Sequence, residues 1–265
     1  MQPYYFQNIM LKGKRGIIFG IANDHSIAWG ISKKLSEYGA ELALTYQNDT
    51  LLKRIEPLSK KINSKLLIEC DFSQSNSIKK CFDNINQKLD NIDFVVHAAA
   101  FSNKDELNGR YIDTSLSNFI NTLNISCYSF TEISKLASSM MNNGGSLLTL
   151  SFYGANNVMP NYNVMGVAKA ALEMSVKYLS VDLGKNNIRV NAISAGPMRT
   201  ISGAAIAKAR EVYKYTEKYS PLHRNVRLDE LGNTALYFVS DLSKAVSGEI
   251  HYVDCGFNII GMPQY

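Results

Sequence analysis

The sequence predicts an α/β protein built on one doubly wound parallel sheet of about seven strands, with helices on both faces. Three observations carry this expectation. Short apolar runs alternate with longer segments of helical period along most of the chain. Runs such as Phe94-Val95-Val96 and Leu147-Leu148-Thr149-Leu150 are apolar at consecutive positions, so both faces of those strands need cover, as in a parallel sheet sandwiched by helices. No Ser/Pro/Gly-rich linker or charge block breaks the alternation, so the 265 residues read as a single domain, 1–265, although length alone suggests about two.

In chain order, strands are expected at Gly16–Phe19, Glu41–Tyr46, Lys65–Cys70, Ile92–His97, Ser146–Ser151, Ile188–Ser194 and Glu249–Asp254, each a short apolar run. Helices are expected at Ser26–Tyr38, Asp49–Lys61, Ser75–Leu89, Tyr111–Asn142 and Tyr162–Gly184, each long and periodic enough to be one. The stretch at about 199–224 departs from the pattern. There a helical segment replaces the next strand, which reads as an insertion over the sheet edge.

Composition narrows the function classes. With 46% apolar and 19% charged residues the chain is neither disordered nor fibrous. Its net charge of +5 is spread without any run of five like charges, which speaks against nucleic acid. Cys70, Cys81, Cys127 and Cys255 are too dispersed for a zinc set or a redox pair and are read as packing residues in a reducing compartment. The histidines are equally scattered, and no metal is expected. There is no signal pattern at Met1–Lys14 and no run of 18 apolar residues, so a cytoplasmic protein without a membrane span is expected.

In a sheet of this kind ligands sit beyond the carboxyl ends of the strands, and the first strand-to-helix turn receives a phosphate. That turn holds Gly20, which permits a tight turn, and Ser26, which can cap the helix and offer its hydroxyl to a phosphate. Gly30 would let the helix approach the sheet. The strict G-x-G-x-x-G spacing is absent, and an ordinary capped turn is the competing reading. Gln47 ends the second strand, where dinucleotide binders meet the adenosine ribose; with no basic residue until Lys53, an unphosphorylated cofactor is favoured. Asp71 after the third strand suits either the adenine amino group or a helix cap. His97-Ala98-Ala99-Ala100 ends the fourth strand with small side chains that leave room for a ring.

Tyr162 and Lys169 stand seven residues apart at the start of the expected long helix, two turns apart on one face. A phenol that donates to an oxygen gaining negative charge, beside a cation that stabilises that charge, suits carbonyl chemistry.

These stretches resemble the short-chain dehydrogenase/reductase superfamily and, within it, the divergent branch of NADH-dependent enoyl-[acyl-carrier-protein] reductases of type II fatty acid synthesis, a Rossmann-like family. The likeness runs from about Leu11 to Gly261. It is carried by Gly20-Ile21-Ala22 with Ser26-Ile27-Ala28, by Leu44 to Asp49, by Pro160 to Gly166 and by Arg189 to Pro197. Ordinary members of the superfamily carry Tyr and Lys four apart, but Met165 stands four before Lys169, so the wider spacing points to the enoyl reductase branch.

The resemblance implies that Gly20, Ile21, Ser26 and Ile27 hold the pyrophosphate side of NADH, Gln47 the ribose region, and Asp71 and Phe72 the adenine. It implies that Ala99 lies along the cofactor, that Met198, Thr200 and Ser202 close over it, and that Lys169 binds the nicotinamide ribose. Tyr162 would donate to the thioester carbonyl of a trans-2-enoyl chain, with Ala100, Ser102, Phe152, Met165 and Ile206 on the substrate side. Acyl carrier protein is the implied partner and a homotetramer the implied assembly. Three departures stand out: Phe152 where the family usually has Tyr, Ala98-Ala99-Ala100 where Ser-Ile-Gly or Ser-Ile-Ala is usual, and Cys255 in place of Gly in Asp-Gly-Gly-Phe. Tyr153 should point away from the site if the segment is extended.

Within the insertion, Ile201, Ala205 and Ala209 recur at helical spacing. Their small side chains bury little, which favours a lid over a core helix. Lys208, Arg210 and Lys214 suit either an acidic carrier protein or a solvated face. Two rivals to enoyl reduction remain: a carbonyl reductase or alcohol dehydrogenase of the same fold, and a nucleotide-sensing module without catalysis.

Overall fold

The computed structural model describes residues 10–204 and 208–262, apart from the side chains at 202 and 204. Seven strands form: β1 (Arg15–Phe19), β2 (Glu41–Tyr46), β3 (Leu66–Glu69), β4 (Phe94–His97), β5 (Gly145–Ser151), β6 (Ile188–Ala195) and β7 (Ile250–Val253). All pairings are parallel, in the order β3-β2-β1-β4-β5-β6-β7. Each expected strand is present.

Alternate residues of the strands feed two cores. Ile18, Leu44, Val96, Leu148 and Ile193 face α1 (Ile27–Glu37), α2 (Asp49–Lys61) and a helix late in the chain. Ile17, Ala43, Val95, Leu147 and Val190 face α3 (Ser77–Asn86) and helices from the middle of the chain. The consecutive apolar runs therefore do serve a sheet covered on both sides. Strand order reverses between β1 and β4, which opens a crevice at the carboxyl ends of these two strands.

The middle of the chain corrects one expectation. Tyr111–Asn142 is not a single helix. After α4 (Lys104–Leu107) come a 3-10 turn at Tyr111–Asp113, α5 (Leu116–Leu123), a π turn at Asn124–Tyr128 and α6 (Ser129–Ser138). The π turn lets the Ser126 hydroxyl meet the Phe101 backbone, at 3.0 Å from both its N–H and its carbonyl. It thereby fixes the segment that follows β4, and π turns of this kind concentrate at functional sites.

The next helix, α7 (Val164–Gly184), begins two residues after Tyr162. The insertion contains α8 (Ile201–Ala204) and α9 (Ala209–Tyr219). A further helix, α10 (Leu228–Val239), was not expected. Gly232 lowers its intrinsic helix propensity, yet the absence of a side chain is what packing requires there: a Cβ would come within 2.8 Å of Lys34 Cβ and 3.1 Å of the Gly30 carbonyl. Gly30 has the matching role, since a Cβ on it would lie 2.9 Å from Leu228 Cβ. Gly30 thus brings α1 close to α10, not to the sheet as the sequence reading had it.

Candidate active site

At the carboxyl ends of the strands lies a cavity of about 1130 Å³. One wall comes from Gly20 and Ser26–Ala28, another from Ala98–Ser102, a third from Tyr162, Met165 and Lys169, and a fourth from the insertion after β6. Gly20 has φ +96°, and a Cβ there would lie 2.3 Å from the Ala98 carbonyl oxygen, so the β1–α1 turn can cross the end of β4 only with glycine.

Ser26 stands at the N-cap of α1 but makes no capping hydrogen bond. Its hydroxyl instead donates to the Asn23 carbonyl (2.5 Å) and accepts from the Ala22 N–H (3.4 Å), which corrects the expected cap. In consequence, among the described residues the N–H groups of Ile27 and Ala28 have no acceptor, and no acidic residue occupies the first turn. Unpaired donors at the positive end of a helix suit an anion such as a pyrophosphate.

Tyr162 lies in the turn ahead of α7, so the phenol and the ammonium do not share one helix as expected. Asn161 (φ +60°) and Asn163 (φ +40°, ψ −121°) carry this turn; positive φ is better tolerated by asparagine than by most residues, although Asn163 lies outside the left-handed helical region. The Asn163 amide donates to the carbonyls of Leu107 (3.1 Å) and Gly109 (3.2 Å), tying the turn to the end of α4. The Tyr162 ring meets Phe152 edge to face at 4.9 Å, and Gly154 leaves room for it, since a Cβ there would come 2.5 Å from the ring. Among the described residues the Tyr162 hydroxyl has no hydrogen-bond partner. Burial, with the charge of Glu173 adding to it, holds the phenol well above its ordinary range, so it is a donor at neutral pH.

Lys169 is buried on α7 and donates to the Leu150 carbonyl at 2.6 Å. Burial pulls its ammonium down to about 8, against the opposing influence of Cys127 and Glu173. His97, fully buried between Thr149 (2.8 Å) and Ser129 (2.9 Å), is pulled down to about 3, chiefly by burial and also by Lys169. It is therefore a neutral structural ring.

The remaining candidates divide. Ala99, Ala100, Ser102, Phe152, Met165, Met198 and Thr200 line the cavity. The Ile21 side chain is in the core, so only its backbone can face a ligand. Gln47, Asp71 and Phe72 sit outside the cavity lining, at the ends of β2 and β3. Gln47 donates to Asp71 (3.1 Å), whose same oxygen accepts from the Ser73 N–H and hydroxyl. Asp71 caps no helix, because Asn76 occupies the N-cap of α3. The Phe72 ring stacks on His97 at 5.8 Å. The Ser202 side chain and Ile206 lie outside the described residues.

The model of the family described as Enoyl-(Acyl carrier protein) reductase matches residues 20–258. The chain belongs to this enoyl-(acyl carrier protein) reductase family. It is 55% identical over 256 residues to enoyl-[acyl-carrier-protein] reductase [NADH] 2 of Rhizobium meliloti, covering 97% of this chain and 96% of that protein. It is 53% identical to the NADH enoyl-[acyl-carrier-protein] reductase of Rickettsia typhi, covering 95% and 97%. The crystal structure of the Anaplasma phagocytophilum enoyl-(acyl-carrier-protein) reductase in complex with NAD is similar with a TM-score of 0.94 at 52% identity, over 97% of this chain and 98% of that one.

Against the enoyl reductase pattern, the structure places each departure. Phe152 keeps a ring against Tyr162 but offers no hydroxyl. Tyr153 packs on Phe257 at 5.4 Å, at the start of a 3-10 turn that follows the extended Phe152 and ends the strand. Cys255 has φ +60°, a conformation that explains why glycine is the family's usual residue there. The sequence reading missed one buried charge beside the site. Glu173, on α7 one turn beyond Lys169, accepts from the Ser151 hydroxyl at 2.5 Å and from the Asn156 amide at 2.9 Å. The sequence carries no motif for it, since a single acid four residues after Lys169 is equally what a solvated helix face would show.

Proposed function

We infer that this chain is an NADH-dependent enoyl-[acyl-carrier-protein] reductase that reduces the double bond of a trans-2-enoyl thioester. The observation that carries the reading is a buried, unpartnered phenol at Tyr162 beside the same cavity as the Lys169 ammonium and the glycine turn at Gly20.

The residues present fit a dinucleotide. Free N–H groups at the start of α1 suit the pyrophosphate, and Ala98-Ala99-Ala100 leaves space for a flat ring next to Lys169. When bound, NADH supplies the hydride that the β-carbon of the enoyl chain receives. Lys169 orients the ribose and adds positive potential. Tyr162 donates a hydrogen bond to the thioester oxygen as that oxygen gains enolate character, before the α-carbon takes a proton. Ser102, Phe152 and Met165 bound the acyl side. The Ser102 hydroxyl is held by Thr122 (2.9 Å) and Asn118, so what it presents to a chain is largely its apolar edge.

The same reading makes acyl carrier protein the partner, with Lys208, Arg210 and Lys214 exposed on the insertion to meet its acidic surface. It makes the segment from Met198 to α9 a lid, the protein cytoplasmic and the assembly a homotetramer. Among the described residues no helix is long and apolar enough to cross a membrane.

Loss of NADH absorbance is followed with crotonyl-CoA, with acetoacetyl-CoA and with neither. Turnover of the first alone is expected. Turnover of the second alone supports the carbonyl reductase, and turnover of neither supports a nucleotide sensor.

A further inference from the structure

The connection from β5 to α7 carries the residues that shape the Tyr162 ring, Phe152 and Gly154. Its first stretch, from Ser151 to Asn156, is held at both ends by one buried side chain. Ser151, the last residue of β5, and Asn156, just past the 3-10 turn at Tyr153–Ala155, donate to opposite oxygens of Glu173. The Asn156 amide also reaches the Tyr252 hydroxyl of β7 at 3.1 Å. A carboxyl group so deeply placed and doubly held is costly unless its contacts serve something. What it serves is nearby: the next turn of α7 presents Lys169, and the segment it grips presents the wall behind Tyr162.

We propose that Glu173 is a positioning residue of this site, clamping the β5–α7 connection so that the Tyr162 ring is fixed, and placing a negative charge one helical turn from the Lys169 ammonium. The proposal rests on the enoyl reductase reading, which says what the two side chains are positioned for. Glu173 touches neither of them within ion-pair distance, so it acts through them. The groups that bear on Lys169 are Glu173 from its own helix, Cys127 from the π turn and His97 from β4. Tyr162 and Tyr252 bear on Glu173. Cys127 and Glu173 both oppose the effect of burial on Lys169, and Glu173 is the carboxylate of the two. Removing that charge moves deprotonation of Lys169 to lower pH, while the neutral phenol is left protonated through the neutral range.

The test compares wild-type enzyme with Glu173→Gln, which removes the charge at nearly constant shape, and Ser151→Ala, which loosens the clamp and keeps the charge. Two quantities are followed from pH 6 to 10: kcat/KM for crotonyl-CoA, and NADH affinity read by quenching of Trp29, the single tryptophan. In Glu173→Gln the alkaline limb of both profiles is expected to move down by about one pH unit. In Ser151→Ala the limb is expected to stay in place while kcat falls about tenfold and KM for NADH is unchanged. Coincidence of the Glu173→Gln and wild-type limbs overturns the proposal. If wild type shows no turnover of crotonyl-CoA, the enoyl reductase reading fails, and the clamp is then judged by the NADH-affinity limb alone. Should Glu173→Gln not fold, the double variant Ser151→Ala with Asn156→Ala releases both grips, and an unchanged kcat there overturns the proposal instead.

Discussion

On the proposed function, the chemistry at Tyr162 depends on one hydroxyl. A phenol buried against Phe152, with its proton held firmly and no hydrogen-bond partner among the described residues, is pre-arranged to donate to an oxygen that becomes charged only in the transition state. Tyr162→Phe is therefore expected to lower kcat about a hundredfold, corresponding to roughly 3 kcal/mol of barrier, with the Kd for NADH unchanged. Steady-state turnover and fluorescence binding together check this. On the same proposal, Lys169 sets the pH range. Because burial leaves its ammonium titrating at about 8, the cation is present below that pH and lost above it, so kcat/KM is expected to fall on the alkaline side near pH 8. Lys169→Ala is expected to weaken NADH binding and to abolish that limb, which a pH series of NADH affinity reads directly. That both residues lie beside the cavity was legible from their spacing and their place after the fifth strand. Glu173 was not, because a single acid on a helix has no motif; only its two partners, Ser151 and Asn156, disclose it.

The elements were legible where one force dominates. Strands buried on both faces are largely apolar, so the central strands stood out, the part-exposed edge strands β3 and β7 still read as short apolar runs, and α2 begins and ends where its periodicity did. The reading failed where local preference and tertiary packing oppose each other. Gly232 argues locally against α10, and the same glycine with Gly30 allows α1 and α10 to touch backbone to side chain. Gly30→Ala gains helix propensity of up to about 1 kcal/mol but drives a methyl into Leu228. A net loss of about 1–2 kcal/mol is expected from the overpacking, measurable as a lower midpoint in urea unfolding. The break at Asn124–Tyr128 was equally invisible, since a π turn keeps the apolar stripe of a helix while inserting a residue into it. For the insertion, amide exchange across residues 201–218 is expected to slow when NADH and an enoyl analogue are both present; unchanged protection would remove the lid.

For the whole molecule, the sheet delivers every part of the site to one end, and its stability carries a signature of the ring buried at that end. His97 binds a proton at about 6.5 in the unfolded chain but refuses it until about 3 in the folded one. The unfolded state therefore holds more protons between those values, and stability present above pH 6.5 is lost as the pH falls toward 3. Between pH 7 and pH 5 this group alone is expected to remove about 2 kcal/mol, an amount that His97→Gln should retain when both proteins are unfolded in urea at the two pH values.

The site as a whole is most directly tested by where the hydride goes. NADH deuterated at its transferable position is incubated with a trans-2-butenoyl thioester, and the product is read by NMR. The expected product carries deuterium on the β-carbon and a solvent proton on the α-carbon. With a 3-oxobutanoyl thioester supplied in competition, deuterium found only on the carbinol carbon of the resulting 3-hydroxybutanoyl thioester, with the enoyl compound untouched, would contradict it.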